Sequence, residues 1–308
     1  MKVVHTGAYR IDIGPHVFPT AKYEGIRAWL LAAGVASRSD FLAPEPASWE
    51  DLALVHTPDY LDKVRGGALS PEEIARLEMP WSEAIVEGFR LMAGGTVLCA
   101  RLALAETPAP PGLKPRLRAA AHLGGGFHHA YADHGEGFCL FNDVALAARA
   151  LLVSREVSRV AILDVDVHQG NGTAAILGRD PAVFTCSLHQ EHNYPADKPP
   201  GSLDRGLDDG AGDREFLDAL ADALPQVFAF APDLLVYVAG ADPYEDDQLG
   251  GLRLTRFGLR RRDRMVFESA REAGVAVAVV LAGGYARRLE DTIAIHGATI
   301  EEARLLSE

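Results

Sequence analysis

Five short aliphatic runs set the fold class: Arg118–Leu123, Val160–Val167, Val183–Leu188, Leu234–Ala239 and Val275–Leu281. Each is strand length and almost continuously apolar, as strands buried on both faces are. Helical patterns separate them. "NDVALAARALLVS" (142–154), "DREFLDALADALPQVFAF" (213–230) and "RFGLRRRDRMVFESAREAG" (256–274) carry apolar residues at helical spacing. Asn142 is placed to cap the first and Gly274 to stop the last. Strands alternating with helices predict an α/β chain with one doubly wound, mainly parallel sheet flanked by helices. No internal repeat and no long linker breaks the pattern, so residues 1–308 are expected to form a single domain. The Pro-rich stretch "ETPAPPGLKPR" (106–116) is short enough for a surface loop. Nearer the start, "PTAKYEGIRAWLLAAG" (19–34) reads as an amphipathic helix ended by Gly34, and "HTPDYLDKV" (56–64) as a turn entering a helix.

Composition narrows the function classes. Hydrophobic residues make up 48 % of the chain and charged residues 24 %, an ordinary globular balance with ample material for a core. The net charge of −13 argues against direct nucleic-acid binding, which needs clustered Lys and Arg, and suits cationic substrates. The basic run at 256–264 reads as a solvated helix face. Cys99, Cys139 and Cys186 are widely spaced and form no Cys-x-x-Cys pair, which fits a reducing compartment. The stretch "MKVVHTGAYRIDIGP" lacks a signal-peptide core, and no apolar run is expected to be long enough to span a membrane, "VAVAVVLA" (275–282) being strand length. A cytoplasmic, non-membrane protein is expected, with its oligomeric state open.

The polar residues fall where the strands end. The run at 118–123 leads into "GGGFHHA" with His128 and His129, and that at 160–167 into Asp166 and His168. "GADP" with Asp242 and "AGGY" with Tyr285 follow two others. In an open parallel sheet the carboxyl edge is where ligands bind. Singly, each feature has an ordinary reading: a polar pair, a turn, a strand exit. Their joint placement points to a site. Asp166, His168 and Asp242 would give two oxygens and one nitrogen around a metal, with a position left open as in a catalytic zinc centre. The same set can hold Fe²⁺, Mn²⁺ or Co²⁺. On a strand, Asp166 and His168 would share one face, with Asp164 a step deeper orienting a neighbour. The glycines at 124–126 match neither phosphate-binding motif. Cys139 reads as a small buried thiol.

These residues occur in blocks that resemble a known family. "VHTPDYL", "HLGGGFHHAYADHGEGFCLFND", "DVDVHQGNG", "VFTCSLH", "AGADPYEDDQLGGL" and "LAGGY" are similar, in order, to the signatures of the zinc-dependent histone deacetylase superfamily. They cover most of the chain, and "HQGNG" and "DQLGGL" are most similar to class IV and bacterial deacetylase-like members. The resemblance implies the arginase–deacetylase fold and one Zn²⁺ on Asp166, His168 and Asp242, with Fe²⁺ or Co²⁺ able to substitute. It implies catalytic roles for His128, His129 and Tyr285, with Asp164 and Asn171 as the partners of the two histidines. Gly137, Phe138, Tyr194 and Leu249 match the substrate tunnel. Asp164, Ser187 and Leu188, with the backbone of Asp166 and His168, match an inner K⁺ site.

The implied reaction is hydrolysis of an N-acyl amine, foremost an acylated lysine carrying an acetyl or longer fatty acyl group. Zinc would polarise the carbonyl and activate water. His129 would move the proton, a protonated His128 would act electrostatically, and Tyr285 would donate to the oxyanion. Asn171 stands where many relatives carry Asp, so it would orient His129 without raising its basicity as a carboxylate would. Three alternatives stay open. An acetylpolyamine or small-molecule amide deacetylase would need acids at the tunnel mouth, for which Glu191, Asp197 and Glu245–Asp247 are candidates. A dimanganese ureohydrolase would carry further aspartates, one of them where Gln169-Gly170-Asn171 stand. A non-catalytic acyl-lysine binding module would have lost a catalytic group, and none is missing. His189 and His192 could line the entrance or sit in ordinary loops.

Overall fold

The computed structural model describes residues 1–108, 110, 112 and 115–308, so part of the Pro-rich stretch read as a loop lies outside the described residues. The strands are β1 (Lys2–Val4), β2 (Phe41–Leu42), β3 (Ala119–His122), β4 (Val160–Asp164), β5 (Val183–Gln190), β6 (Leu203–Leu207), β7 (Leu234–Val238) and β8 (Ala276–Val280). They form one sheet in the order β2-β1-β3-β8-β7-β4-β5-β6, every pair parallel. The helices are α1 (Lys22–Ala32), α2 (Trp49–Leu52), α3 (Pro58–Gly66), α4 (Pro71–Leu77) and α5 (Glu83–Ala105). They continue with α6 (Asp143–Val153), α7 (Asn171–Leu177), α8 (Asp213–Ala229), α9 (Arg256–Ala273) and α10 (Leu289–Ser307).

Strand alternation divides the core in two. Ile162, Val236, Ala278 and Val280 pack with α5 and α6 on one face of the sheet. Ala161, Leu163, Leu235, Val277 and Val279 pack with α8, α9 and α10 on the other. All five residues of β7 and of β8 are wholly excluded from solvent. Burying each larger aliphatic side chain contributes about 1.5–3 kcal/mol, which is why these strands read as unbroken apolar runs. The helix signals act as expected. Asn142 Oδ1 accepts from Ala145 N at 2.8 Å to cap α6, and Gly34 and Gly274 take positive φ of 68° and 70° beyond α1 and α9.

Three expectations need correction. Strand β4 stops at Asp164, so Asp166 and His168 lie in the loop beyond it and not on a strand face. The run at 256–264 is not simply a solvated face, because Arg262 is fully buried beside Asp263 and donates to Gly240 O at 2.7 Å. Among the described residues one helix, α5, is long and apolar enough, by length and composition, to span a membrane. Its buried residues, from Ile85 to Ala103, pack into the core on one face of the sheet.

Candidate metal centre and active site

The site stands on β3, β8, β7 and β4, four neighbours in the middle of the sheet. Beyond β4 the chain turns on its own acids. Asp164 Oδ1 accepts from Asp166 N at 3.1 Å, and Asp166 Oδ1 accepts from His168 N at 3.0 Å. Each aspartate thus bonds the backbone two residues on, a local bond that competes with the sheet ladder and ends the strand. The spacing of two between Asp164, Asp166 and His168 reflects successive side-chain-stabilised turns.

Asp166, His168 and Asp242 each present a ligand atom, all within 4.8 Å of one another. Backbone amides hold the outer oxygens: Gly283 N donates to Asp166 Oδ2 at 2.8 Å, and Val167 N to Asp242 Oδ1 at 2.9 Å. Asp242 Oδ2 is buried without a hydrogen-bond partner, 3.6 Å from His168 Nδ1. A Cβ added at Gly283 would come within 1.9 Å of that oxygen, so the glycine keeps room for the carboxylates. Burial and the charge of Asp166 lift the Asp242 carboxyl to about 7. Burial alone would lower His168, but its hydrogen bond to Asp166 and the nearby carboxylate of Asp242 raise it to about 10. The pocket is short of positive charge. Two carboxylate oxygens, one of them orphaned and buried, and one imidazole nitrogen fit one divalent transition-metal ion.

Above this cluster lies a cavity of about 210 Å³, lined among others by His128, His129, Asp166, His168, Cys139 and Tyr285. Gly137, Phe138, Tyr194 and Leu249 also line it, in the places read from the sequence. Gly137 and Phe138 both have positive φ, 52° and 66°, between Glu136 and Cys139, which pair as an antiparallel bridge. This tight two-residue turn presents Phe138 to the cavity. His128 Nδ1 lies 2.6 Å from Asp164 Oδ2, and His129 Nδ1 2.7 Å from Asn171 Oδ1. Burial disfavours charge on His128, but Asp164 and Asp166 outweigh it and raise the imidazole to about 9. Burial, with the positive charges of His128 and His168, keeps His129 well below its ordinary range. Burial and the neighbouring carboxylates push Tyr285 well above the usual phenol range, so it keeps its proton. Burial raises the Cys139 thiol too, in keeping with an inert side chain.

Ser187 stands opposite Asp164 in the register of β4 and β5, and the side chain of Leu188 belongs to the core. Of the acids read as mouth candidates, none of Glu191, Asp197, Glu245, Asp246 and Asp247 lines the cavity; Glu78 does. Asp247 is buried and receives Leu249 N, Gly250 N and Tyr285 N, so it orders the loop that carries the tyrosine. Asp197 borders a side cavity behind Tyr194. His189 is a buried β5 residue bonded to Ser187 Oγ, and neither it nor His192 reaches the catalytic cavity.

Sequence reading missed several supports. Asp143 accepts from Gly126 N, Phe127 N and Thr96 Oγ1, fixing the loop that carries both histidines. Lys22 is fully buried and donates to Ala282 O at 2.7 Å beside the site. Glu136 Oε1 accepts from Asn171 Nδ2 at 2.6 Å and from Tyr194 OH at 2.8 Å. Only Asp143 stands out in one dimension, as a charge opening the apolar run "VALAA"; Lys22 and Glu136 lie in mixed polar stretches.

Fold and site together define a hydrolase centre at the carboxyl edge of a parallel sheet, and comparison with known proteins agrees. The histone deacetylase domain profile matches residues 16–299. An uncharacterised protein of Picosynechococcus sp. is 39 % identical over 290 residues, spanning 94 % of this chain and 93 % of its own. Histone deacetylase 2 of Arabidopsis thaliana is 31 % identical over 311 residues, spanning 95 % and 78 %. The crystal structure of acetylpolyamine aminohydrolase from Burkholderia pseudomallei superposes with a TM-score of 0.80 at 22 % identity, covering 99 % of both chains, and shares the fold. The chain belongs to the histone deacetylase family, hydrolases acting on amides.

Proposed function

We propose that the chain is a zinc-dependent deacylase that hydrolyses N-acyl amines, acetylated lysine foremost among them. The observation that carries this reading is the three-ligand cluster with its orphaned Asp242 oxygen, set beneath a cavity that also receives His128, His129 and Tyr285. Zn²⁺ held by Asp166, His168 and Asp242 would supply Lewis acidity, polarising an amide carbonyl and acidifying water. His129 donates Nδ1–H to Asn171, so Nε2 keeps a lone pair with which to accept a proton. Its low basicity keeps it neutral and available as a base. His128 carries positive charge beside Asp164 and stabilises negative charge forming nearby. Tyr285, protonated, donates to the oxygen where that charge develops. The rings of Phe138 and Tyr194 with Leu249 give apolar walls suited to an alkyl stem. Asp164, Ser187 and Leu188 are assigned to a structural K⁺ site.

A second reading, an acetylpolyamine or other small cationic N-acyl amine, is favoured by one observation: Glu78 lines the cavity, on a chain of net charge −13. A substrate panel with the zinc-loaded enzyme tests both. Acetyl- to myristoyl-lysine peptides should be cleaved if the first reading holds, and acetylpolyamines preferentially if the second does. No turnover of any N-acyl amine would sink both.

A further inference from the structure

Asn171 is the hinge of a hydrogen-bonded chain that leaves the catalytic cavity. Its Oδ1 faces His129 Nδ1 at 2.7 Å, and its Nδ2 donates to Glu136 Oε1 at 2.6 Å. The two ends of an amide are nearly alike in shape, so only its partners decide which way it points. His129 alone cannot decide, because its Nδ1 can donate or accept according to tautomer. A carboxylate can only accept. Glu136 therefore requires the NH₂ end of Asn171, which turns Oδ1 to His129. That oxygen in turn requires Nδ1–H and leaves Nε2 bare. With the amide reversed, Nδ1 would have to accept, Nε2 would carry the proton, and the base would be lost.

We propose that Glu136 is a positioning residue for the catalytic base: its carboxylate fixes the amide of Asn171, and through it the tautomer of His129. The same Oε1 accepts from Tyr194 OH at 2.8 Å, and His134 Nε2 lies 3.4 Å from Oε2. Hydrogen bonds from His134, Tyr194 and Asn171 outweigh burial and hold the acid below its ordinary range, so it stays an acceptor. Glu136 does not line the catalytic cavity but borders a second one of about 470 Å³ behind Tyr194, so it reaches the chemistry through the groups it binds, Asn171 and Tyr194, and only the first of these sets the His129 tautomer. The assignment rests on reading His129 as the base.

Two independent readouts test it on the full-length, metal-loaded chain. The first is the imidazole ¹⁵N spectrum of histidine-labelled protein, with His129 assigned by loss of its signals in His129→Ala. The second is kcat against KM on an acyl-lysine peptide. Wild type and Glu136→Gln should show His129 with Nδ1–H, since glutamine Oε1 still accepts from Asn171. Glu136→Ala should show a mixture of tautomers and a kcat lower by about 10- to 100-fold, part of the usual acid–base contribution. Glu136→Gln should recover most of that loss. Glu136→Met, closer in volume, replaces the alanine variant should that one unfold. An unchanged tautomer, or a wild-type kcat, in the variant lacking the carboxylate would overturn the assignment. If wild type hydrolyses nothing yet the tautomer shifts as stated, the hydrolase reading fails and the positioning role stands.

Discussion

Asp242 is buried with one oxygen tied to Val167 N and the other unpartnered, an arrangement that a bound metal cation would complete. Asp242→Ala should abolish stoichiometric metal binding, read by elemental analysis after dialysis; a fully metallated variant would break the ligand assignment. Gly283→Ala tests the same cradle from the other side, since its Cβ would fall 2.6 Å from Asp166 Oδ2. It should lose metal while keeping the native circular dichroism. Tyr285→Phe should bind metal normally and lower kcat by about 10²- to 10³-fold, the scale of a lost oxyanion donor. At this scale the sequence was legible wherever chemistry was concentrated: the ligand set, the histidine pair, Asn171 and Tyr285 were all named from it. Asp143, Lys22 and Glu136 escaped because each acts on a residue distant in the chain. Nothing in "HGEGFC" says that its glutamate meets an asparagine 35 positions on.

Among the elements, the five apolar strands β3, β4, β5, β7 and β8 were visible and their ends were not. An apolar run continues in "VDV" past Asp164, yet the aspartates capture backbone amides and stop the ladder. Strands β1, β2 and β6 were invisible, the first two because they span only three and two residues, the last, with β2 an edge of the sheet, because "LDRGL" lacks a continuous apolar signal. Helix ends read better, because caps are local. Asn142 does more than cap α6: its Nδ2 also donates to Ala130 O at 2.9 Å, tethering the loop beyond His129. Asn142→Ala should cost about 1–3 kcal/mol, the loss of a cap plus a buried carbonyl left unpaired. Urea unfolding measures it, and a cost under half a kcal/mol would show the tether to be idle.

On the scale of the whole molecule, the parallel sheet followed from alternating strands and helices, but the strand order did not. Sequence order gives no hint that β8 and β7 lie between β3 and β4, which is what gathers the site. The fold also buries neutral histidines. Burial holds His56 and His5 down at about 4 and His122 at about 3, against 6.5 in an unfolded chain. Between those values the unfolded chain binds more protons. The stability they carry is therefore complete above pH 6.5 and lost as pH falls toward 4. His56 accepts from Asn142 N, a bond that glutamine can replace, so His56→Gln should flatten the acid decline in stability by up to about 3 kcal/mol. An equally steep decline in the variant would remove His56 from the account. The central claim, one zinc ion driving amide hydrolysis, is tested most directly by titrating metal into chelator-stripped protein while following release of acetate from an acetyl-lysine peptide. The account predicts no activity without metal and full activity at one zinc per chain; undiminished turnover by metal-free protein, or a requirement for two manganese ions per chain, would contradict it.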